Sequence, residues 1–148
     1  MSERHPGPSQ PDWEAFRHSM DYSPEELEVF RSKPNNEYVV QHASRLDQWL
    51  VVAEIIESQG CAAGHKIGDK FVLSPHGVLI AEKSPPRICL QTIPALASAV
   101  AVFAERIIAG LEPNPYLFRR VGCVDVGVKC GGWGHVAFEL YAIPNEQG

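Results

Sequence analysis

The feature that most constrains the fold is a long apolar segment in the second half of the chain, from Ile93 to Leu111. Pro94 suits the first turn of a helix, Thr92 can cap that turn, and Gly110 is a typical helix end. Nearly every face of this helix would be small or apolar, so it has to be buried. We expect it to pack against a β-sheet.

The same segment makes a poor transmembrane helix. A membrane span needs about 20 strongly apolar residues, whereas this segment contains Pro94, Glu105, Arg106 and many small residues. The first ten residues are polar and proline-rich, without the apolar centre of a signal peptide. We therefore expect a cytoplasmic protein with reduced thiols and no membrane partner. A net charge of −5 argues against a nucleic-acid partner, which usually requires a basic stripe.

Short segments rich in β-branched and apolar residues predict strands on both sides of the long helix. They are residues 49–57, 70–73, 78–81, 121–128 and 135–143. The last two would pair as a hairpin around the turn Gly131-Gly132-Trp133-Gly134. The predicted fold class is α+β: a small antiparallel β-sheet packed on one long buried helix and preceded by an N-terminal helical arm.

The chain divides by composition into three parts. Residues 1–10 are predicted to be a disordered tail, residues 11–47 a helical arm and residues 48–144 the α+β domain. The clearest signal in the arm is Ser23-Pro24-Glu25-Glu26, in which Ser23 and Glu26 form a capping box and Pro24 fits the first turn. The arm is a candidate contact for a homo-oligomer or for a partner enzyme.

All four cysteines lie in the C-terminal two thirds, and three of them have a histidine or glycines close by. Thiolates and imidazoles are the ligands of zinc and iron sites. The predicted metal set is Cys61, His65 and Cys130, completed by Cys123 or His135. This prediction requires the loop after the first strand to meet the hairpin turn. Cysteine is also often only a buried packing residue, and that interpretation is favoured for Cys89.

Strand alternation sharpens the hairpin prediction, because successive side chains point to opposite faces. On the first strand the alternation predicts three core-facing valines: Val124, Val126 and Val128. The opposite, polar face would then hold four chemically useful residues: Cys123, Asp125, His135 and Glu139. Asp125 and Glu139 are candidate catalytic groups, as a base or as support for a metal ligand.

Three arginines, Arg87, Arg119 and Arg120, are candidate substrate-binding residues, since the guanidinium fork matches carboxylates. If they converge near the cysteines, the pocket would suit a small anionic metabolite. Each of them can equally be an ordinary surface charge.

The region from about Trp49 to Ile143 resembles a largely uncharacterised family of small prokaryotic proteins. The resemblance rests on Cys61-x-x-x-His65-Lys66-x-Gly68-Asp69, on Arg87-Ile88-Cys89, and on Cys123 with Phe138-Glu139-Leu140. The helical arm looks like an extension carried by a subset of relatives. The resemblance implies a shared site, but it supplies neither a substrate nor catalytic roles.

Three functions remain open from the residues. The first is a small zinc or iron metalloprotein, an enzyme or accessory subunit acting on a small acidic or aromatic metabolite. The second is a metal-free thiol enzyme with Cys61 or Cys130 as nucleophile and His65 or His135 as its base. The third is a non-catalytic assembly subunit that docks a partner enzyme through the helical arm.

Overall fold

The computed structural model describes residues 10–115 and 117–147. Apart from Gln10, the predicted disordered tail therefore lies outside the described residues. The chain forms two compact units that divide between Ser44 and Arg45.

The first unit contains three short helices, α1 (Trp13–Ser19), α2 (Pro24–Arg31) and α3 (Pro34–His42). The predicted capping box at the start of α2 is confirmed. The backbone N–H of Ser23 donates to Glu26 Oε2 at 2.7 Å, and the backbone N–H of Glu26 donates to Ser23 Oγ at 3.2 Å. Each end of the box satisfies a group that would otherwise lack a partner in the first helical turn.

Aromatic side chains form the interior of this unit. The ring of Phe16 lies 5.0 Å from that of Phe30 and 6.0 Å from that of Trp13, measured between centroids. Tyr22 contacts Phe30 at 5.9 Å, and the guanidinium of Arg31 lies 4.7 Å from the centre of the Trp13 ring. The aromatic residues of the arm therefore pack on one another within the arm.

The second unit is built on a four-stranded antiparallel sheet with strand order β2-β1-β4-β3. Its strands are β1 (Trp49–Gln59), β2 (Lys70–Leu73), β3 (Arg120–Gly122) and β4 (His135–Pro144). A 16-residue helix, α4 (Ile93–Ile108), connects the two halves of the sheet. The predicted α+β class is therefore confirmed.

The core lies between α4 and one face of the sheet. The helix buries one side along its length through Leu96, Ala99, Val100, Phe103, Ile107 and Ile108. The facing side chains come mainly from three strands: Val51, Ala53, Ile55, Phe71, Phe138 and Leu140. Among the described residues, one helical segment, Leu90–Ile108, has the length and mean hydropathy (1.3) of a membrane span. One side of it packs in this core, whereas Ile93 and Val102 on the other side are exposed. The prediction that nearly every face of the helix is buried is therefore only partly correct.

The predicted strand at 78–81 is not formed. A single bridge joins Leu73 to Leu79, after which residues Ala81–Lys83 make a 3₁₀ turn. The backbone groups at the free edge of β2 bond instead to nearby residues. The N–H of Val72 donates to Ser84 Oγ at 3.0 Å, and the carbonyl of Val72 accepts the N–H of Ile80 at 2.8 Å. This short return covers the edge without another strand.

The predicted hairpin is only partly correct. Regular pairing of β3 with β4 ends at Gly122, and the three valines predicted to face the core are exposed by 58%, 60% and 63% (Val124, Val126 and Val128). The chain leaves the sheet here because the N–H of Val124 donates to the carbonyl of Gln91, 3.0 Å away, and not to β4. The core side is taken by Val121 and Cys123. The prediction that Cys123 shares a polar face with Glu139 is therefore wrong.

Candidate thiol pocket

Three of the four cysteines line one small cavity of about 260 Å³ in the second unit. Cys61 follows β1, Cys89 precedes α4, and Cys123 follows β3. Thr92, Trp133 and His135 also line the cavity. The fold therefore gathers thiols from three separate segments around one space, and we call this cavity the thiol pocket.

Cys61 lines the pocket from a turn at the end of β1 and also packs against the core. Gly60 has a φ of +61°, a conformation that favours glycine, and the N–H of Gly64 donates to the carbonyl of Cys61 at 3.0 Å. Further along the same loop, the carboxylate of Asp69 accepts the N–H of Lys66 at 2.9 Å. This Asp69 contact stabilises the turn of the loop. Within the described residues no hydrogen bond engages the Cys61 sulfur.

The Cys89 thiol lies at the entry to α4. The carbonyl of Cys89 accepts both the N–H of Thr92, at 3.0 Å, and the Thr92 hydroxyl, at 2.6 Å. These two bonds fix the backbone of Cys89, which is one of the residues that line the pocket. The sequence favoured a packing role for Cys89, and that interpretation stays a prediction.

The Cys123 thiol is the one that is held by hydrogen bonds. Its sulfur accepts the backbone N–H of Val136 at 3.3 Å and lies 3.6 Å from the carbonyl oxygen of Asp125, to which the thiol can donate. The backbone N–H of Cys123 donates to the carbonyl of Val136 at 2.9 Å. Cys123 therefore extends the pairing of β3 with β4 while contributing its sulfur to the pocket wall.

The carboxylate of Asp125 organises the loop between β3 and β4. Oδ1 accepts the N–H groups of Gly127 and Trp133, each at 3.0 Å, and Oδ2 accepts the N–H of Gly134 at 2.9 Å. These donors, Gly134 first, hold the pKa of the carboxyl below its usual value. A group used in this way is a weak base, so its contacts favour a positioning role over the predicted catalytic one.

The imidazole of His135 is oriented by the same loop. Nδ1 lies 3.0 Å from the carbonyl oxygen of Asp125, and a carbonyl can only accept, so Nδ1 carries the proton. In the neutral ring Nε2 then has a free lone pair. The ring lies over Gly122, where a Cβ would stand 2.8 Å from Cε1. His135 is therefore a pocket-lining group with the tautomer of a general base.

The predicted metal ligands are only partly brought together. Cys61, Cys123 and His135 line the pocket, whereas Cys130 is exposed and lies outside the lining residues. His65 is buried, with its ring 5.1 Å from that of Phe71. No group of three or more His, Cys, Asp or Glu side chains in residues 10–115 and 117–147 is arranged to hold a metal ion. Zinc or iron binding stays a prediction.

The remaining candidate residues lie elsewhere. Glu139 is on the sheet face away from α4, where Arg119 and Arg120 approach it at 3.7 and 3.9 Å. On the neighbouring strand β1, Glu54 is paired with Glu139 in the ladder. The carboxylate of Glu54 accepts a hydrogen bond from the Tyr141 hydroxyl at 2.7 Å. Burial, together with these two carboxylates, raises the pKa of Tyr141 to about 12. None of the three candidate arginines is among the described residues that line the thiol pocket, Arg87 included.

Comparisons of the chain with models of protein families, with curated proteins and with solved structures found no match. The resemblance described from the motifs therefore stays a prediction. The chemistry of the thiol pocket is the basis for inferring function.

Proposed function

We propose that this chain is a metal-free cysteine enzyme that binds a small uncharged ligand in the thiol pocket and attacks it with a thiolate. The observation that carries the proposal is the convergence of Cys61, Cys89 and Cys123 with His135 on one cavity. Such thiols have to stay reduced, so the proposal places the protein in the cytoplasm.

We assign the nucleophile to Cys61 and the base to His135. The Cys123 sulfur is engaged by Val136 and Asp125, whereas no hydrogen bond in the described residues restrains the Cys61 sulfur. In the proposed step Nε2 of His135 takes the thiol proton, and the sulfur bonds to an electron-poor carbon of the ligand. The π-electron pair of that carbon moves to the adjacent atom, which then accepts the proton from His135.

The test is site-resolved alkylation by N-ethylmaleimide, followed by peptide mass spectrometry across a range of pH. Cys130 is an internal reference because it is exposed and lies outside the pocket. We expect Cys61 to react at least about tenfold faster than Cys130 at pH 7, as a base-assisted thiol does. His135→Gln should remove that advantage without changing the rate at Cys130. Slower reaction at Cys61 than at Cys130 throughout would refute the proposal.

A zinc or iron site is the competing proposal, and one specific observation favours it. The Nε2 of His65 is buried and has no hydrogen-bond partner within the described residues, and a bound metal would satisfy it. Elemental analysis of untagged protein purified anaerobically distinguishes the two. About one metal per chain would support the metal site and contradict the metal-free enzyme, whereas less than about 0.2 would reject the metal site, because structural zinc binds tightly.

A further inference from the structure

We infer that the ligand of the thiol pocket is a planar, uncharged aromatic ring that stacks on the indole of Trp133. The inference rests on the proposed function and names its substrate class. It is carried by the exposure of Trp133, by the rigid backbone beneath it and by the charge of the pocket.

Trp133 is an exposed aromatic group on a fixed support. The residue is 93% exposed, although it lines the thiol pocket. Its backbone N–H is held by Asp125, and so is the next N–H along the chain, that of Gly134. Exposing a large apolar indole to water is unfavourable relative to burying it. An indole held at the mouth of a cavity can recover that free energy when a ligand covers it.

Two glycines hold Trp133 in a fixed relation to Cys61. A Cβ on Gly134 would overlap the carbonyl oxygen of Gly60, and a Cβ on Gly60 would lie 3.4 Å from the carbonyl oxygen of Trp133. Trp133 is the residue before Gly134, and Cys61 is the residue after Gly60. The close contact of the two backbones therefore brings Trp133 and Cys61, which both line the pocket, near each other.

The charge of the pocket favours a neutral ligand. No lysine or arginine occurs among the lining residues in the described part of the chain. The carboxylate of Asp125 is already occupied by three backbone N–H groups. An anion would therefore find no basic side chain there, and a cation would find the acceptor sites of the Asp125 carboxylate already engaged. An uncharged ring gains from stacking on Trp133.

The experiment compares two probes that carry the same electrophile, N-phenylmaleimide and N-cyclohexylmaleimide. In both, the thiolate sulfur adds to the maleimide double bond, a C–S bond forms, and the displaced π pair becomes an enolate that takes a proton. The probes differ in having a flat aromatic or a saturated ring of similar size. Dividing the phenyl-to-cyclohexyl rate ratio at Cys61 by the ratio at Cys130 cancels the intrinsic difference between the reagents.

We expect the ratio at Cys61 to exceed that at Cys130 by about threefold to tenfold, the range expected for aromatic stacking. Trp133→Ala should bring the two ratios together, and Trp133→Phe should retain part of the preference. Equal ratios in the natural protein would overturn the aromatic inference even if Cys61 still reacts fast with both probes. If neither probe reaches Cys61 faster than Cys130, the proposed function fails and this inference fails with it.

Discussion

The α-carbon of Gly134 lies against the backbone carbonyl of Gly60 in a contact that leaves no room for a side chain. The contact continues the pairing of β1 with β4 one residue beyond the last ladder pair, Gln59 with His135. It joins the loop that carries Cys61 to the loop that carries Trp133. The geometry of the thiol pocket therefore depends on two backbones touching, and not on the side chains alone.

A single methyl group tests this contact. Gly134→Ala would place a Cβ against the backbone of Gly60 and Gln59, so we expect the free energy of unfolding to fall by about 2 to 3 kcal/mol. Gly131→Ala is the matched control in the same loop, because a Cβ there meets nothing within 4 Å. It pays only for its φ of +82°, about 1 kcal/mol. If urea unfolding gives the same loss of free energy of unfolding for both variants, the close contact between Gly134 and Gly60 does not contribute to stability.

The Asp125 carboxylate predicts a defined dependence of stability on pH. The pKa of Asp125 in the folded chain is lowered from its ordinary value of 3.8 by the N–H groups of Gly134, Gly127 and Trp133. Because the pKa is lower in the folded chain, ionised Asp125 stabilises the folded state at any pH above its ordinary pKa. That stabilisation is lost as the pH falls through the folded-state pKa. Asp125→Asn should therefore be less stable than the natural protein at pH 7 and approach it below about pH 4.

Urea unfolding of both proteins at several pH values measures this difference. Asp12→Asn is a suitable control, since Asp12 also accepts a backbone N–H, that of Ala15 at 3.0 Å, but does so at a helix end far along the sequence from the pocket. A stability difference for Asp125→Asn that stays constant from pH 7 to pH 3 would contradict a role for the ionised carboxylate.

The elements that the sequence predicted correctly depend on neighbouring residues. The capping box joins Ser23 to Glu26, and the long helix follows from a mainly apolar segment between Pro94 and Gly110, which Glu105 and Arg106 interrupt near its end. Strand alternation also holds in β4, where Phe138 and Leu140 are both buried. Local patterns of this kind do not require knowledge of the rest of the fold.

The thiol pocket was harder to predict because distant contacts build it. Asp125 leaves the strand pattern to bind N–H groups eight and nine residues further on, and that departure exposes Val124 and its neighbours. Cys89 reaches the pocket because the entry to α4 lies beside the end of β3, where Val124 bonds to Gln91. Cys61 and His135, two of the predicted site residues, line the pocket, whereas Cys130, which looked equivalent by spacing, lies outside it.

A second pH dependence is expected on the sheet face away from α4. Tyr141 has a pKa raised to about 12 by burial and by the hydroxyl's bond to Glu54, with Glu139 nearby. A tyrosine in the unfolded chain ionises near pH 10. The stabilisation from the un-ionised hydroxyl is therefore complete below about pH 10 and is lost as pH rises toward 12.

Replacing Tyr141 by phenylalanine should remove this alkaline loss. We expect Tyr141→Phe to lower the free energy of unfolding by about 1 kcal/mol at pH 8, through the lost hydrogen bond, and to make stability flatter between pH 10 and 12. Ultraviolet titration of the tyrosinates should show the latest-ionising component missing. Tyr38→Phe is the control, because Tyr38 is exposed and lies in the arm. An unchanged alkaline curve in Tyr141→Phe would contradict the assignment.

The unpartnered ring nitrogen of His65 makes a last prediction. Nε2 has lost its contact with water and has no hydrogen-bond partner among the described residues, while the ring packs edge-on against Phe71. A phenylalanine keeps the ring contact and removes the polar atom, so His65→Phe should leave the free energy of unfolding unchanged or raise it by up to about 1 kcal/mol. His65→Ala, which leaves a cavity, should lower it by about 2 kcal/mol or more.

The same pair of variants separates a packing residue from a metal ligand. If His65 holds zinc or iron, phenylalanine removes a ligand as surely as alanine does, and both variants should lose the metal and become markedly less stable. Urea unfolding with and without a chelator, together with elemental analysis, measures this. A chelator that destabilises the natural protein but not His65→Phe would show that His65 binds a metal, because only a bound ion gives the ring nitrogen a partner that phenylalanine cannot replace.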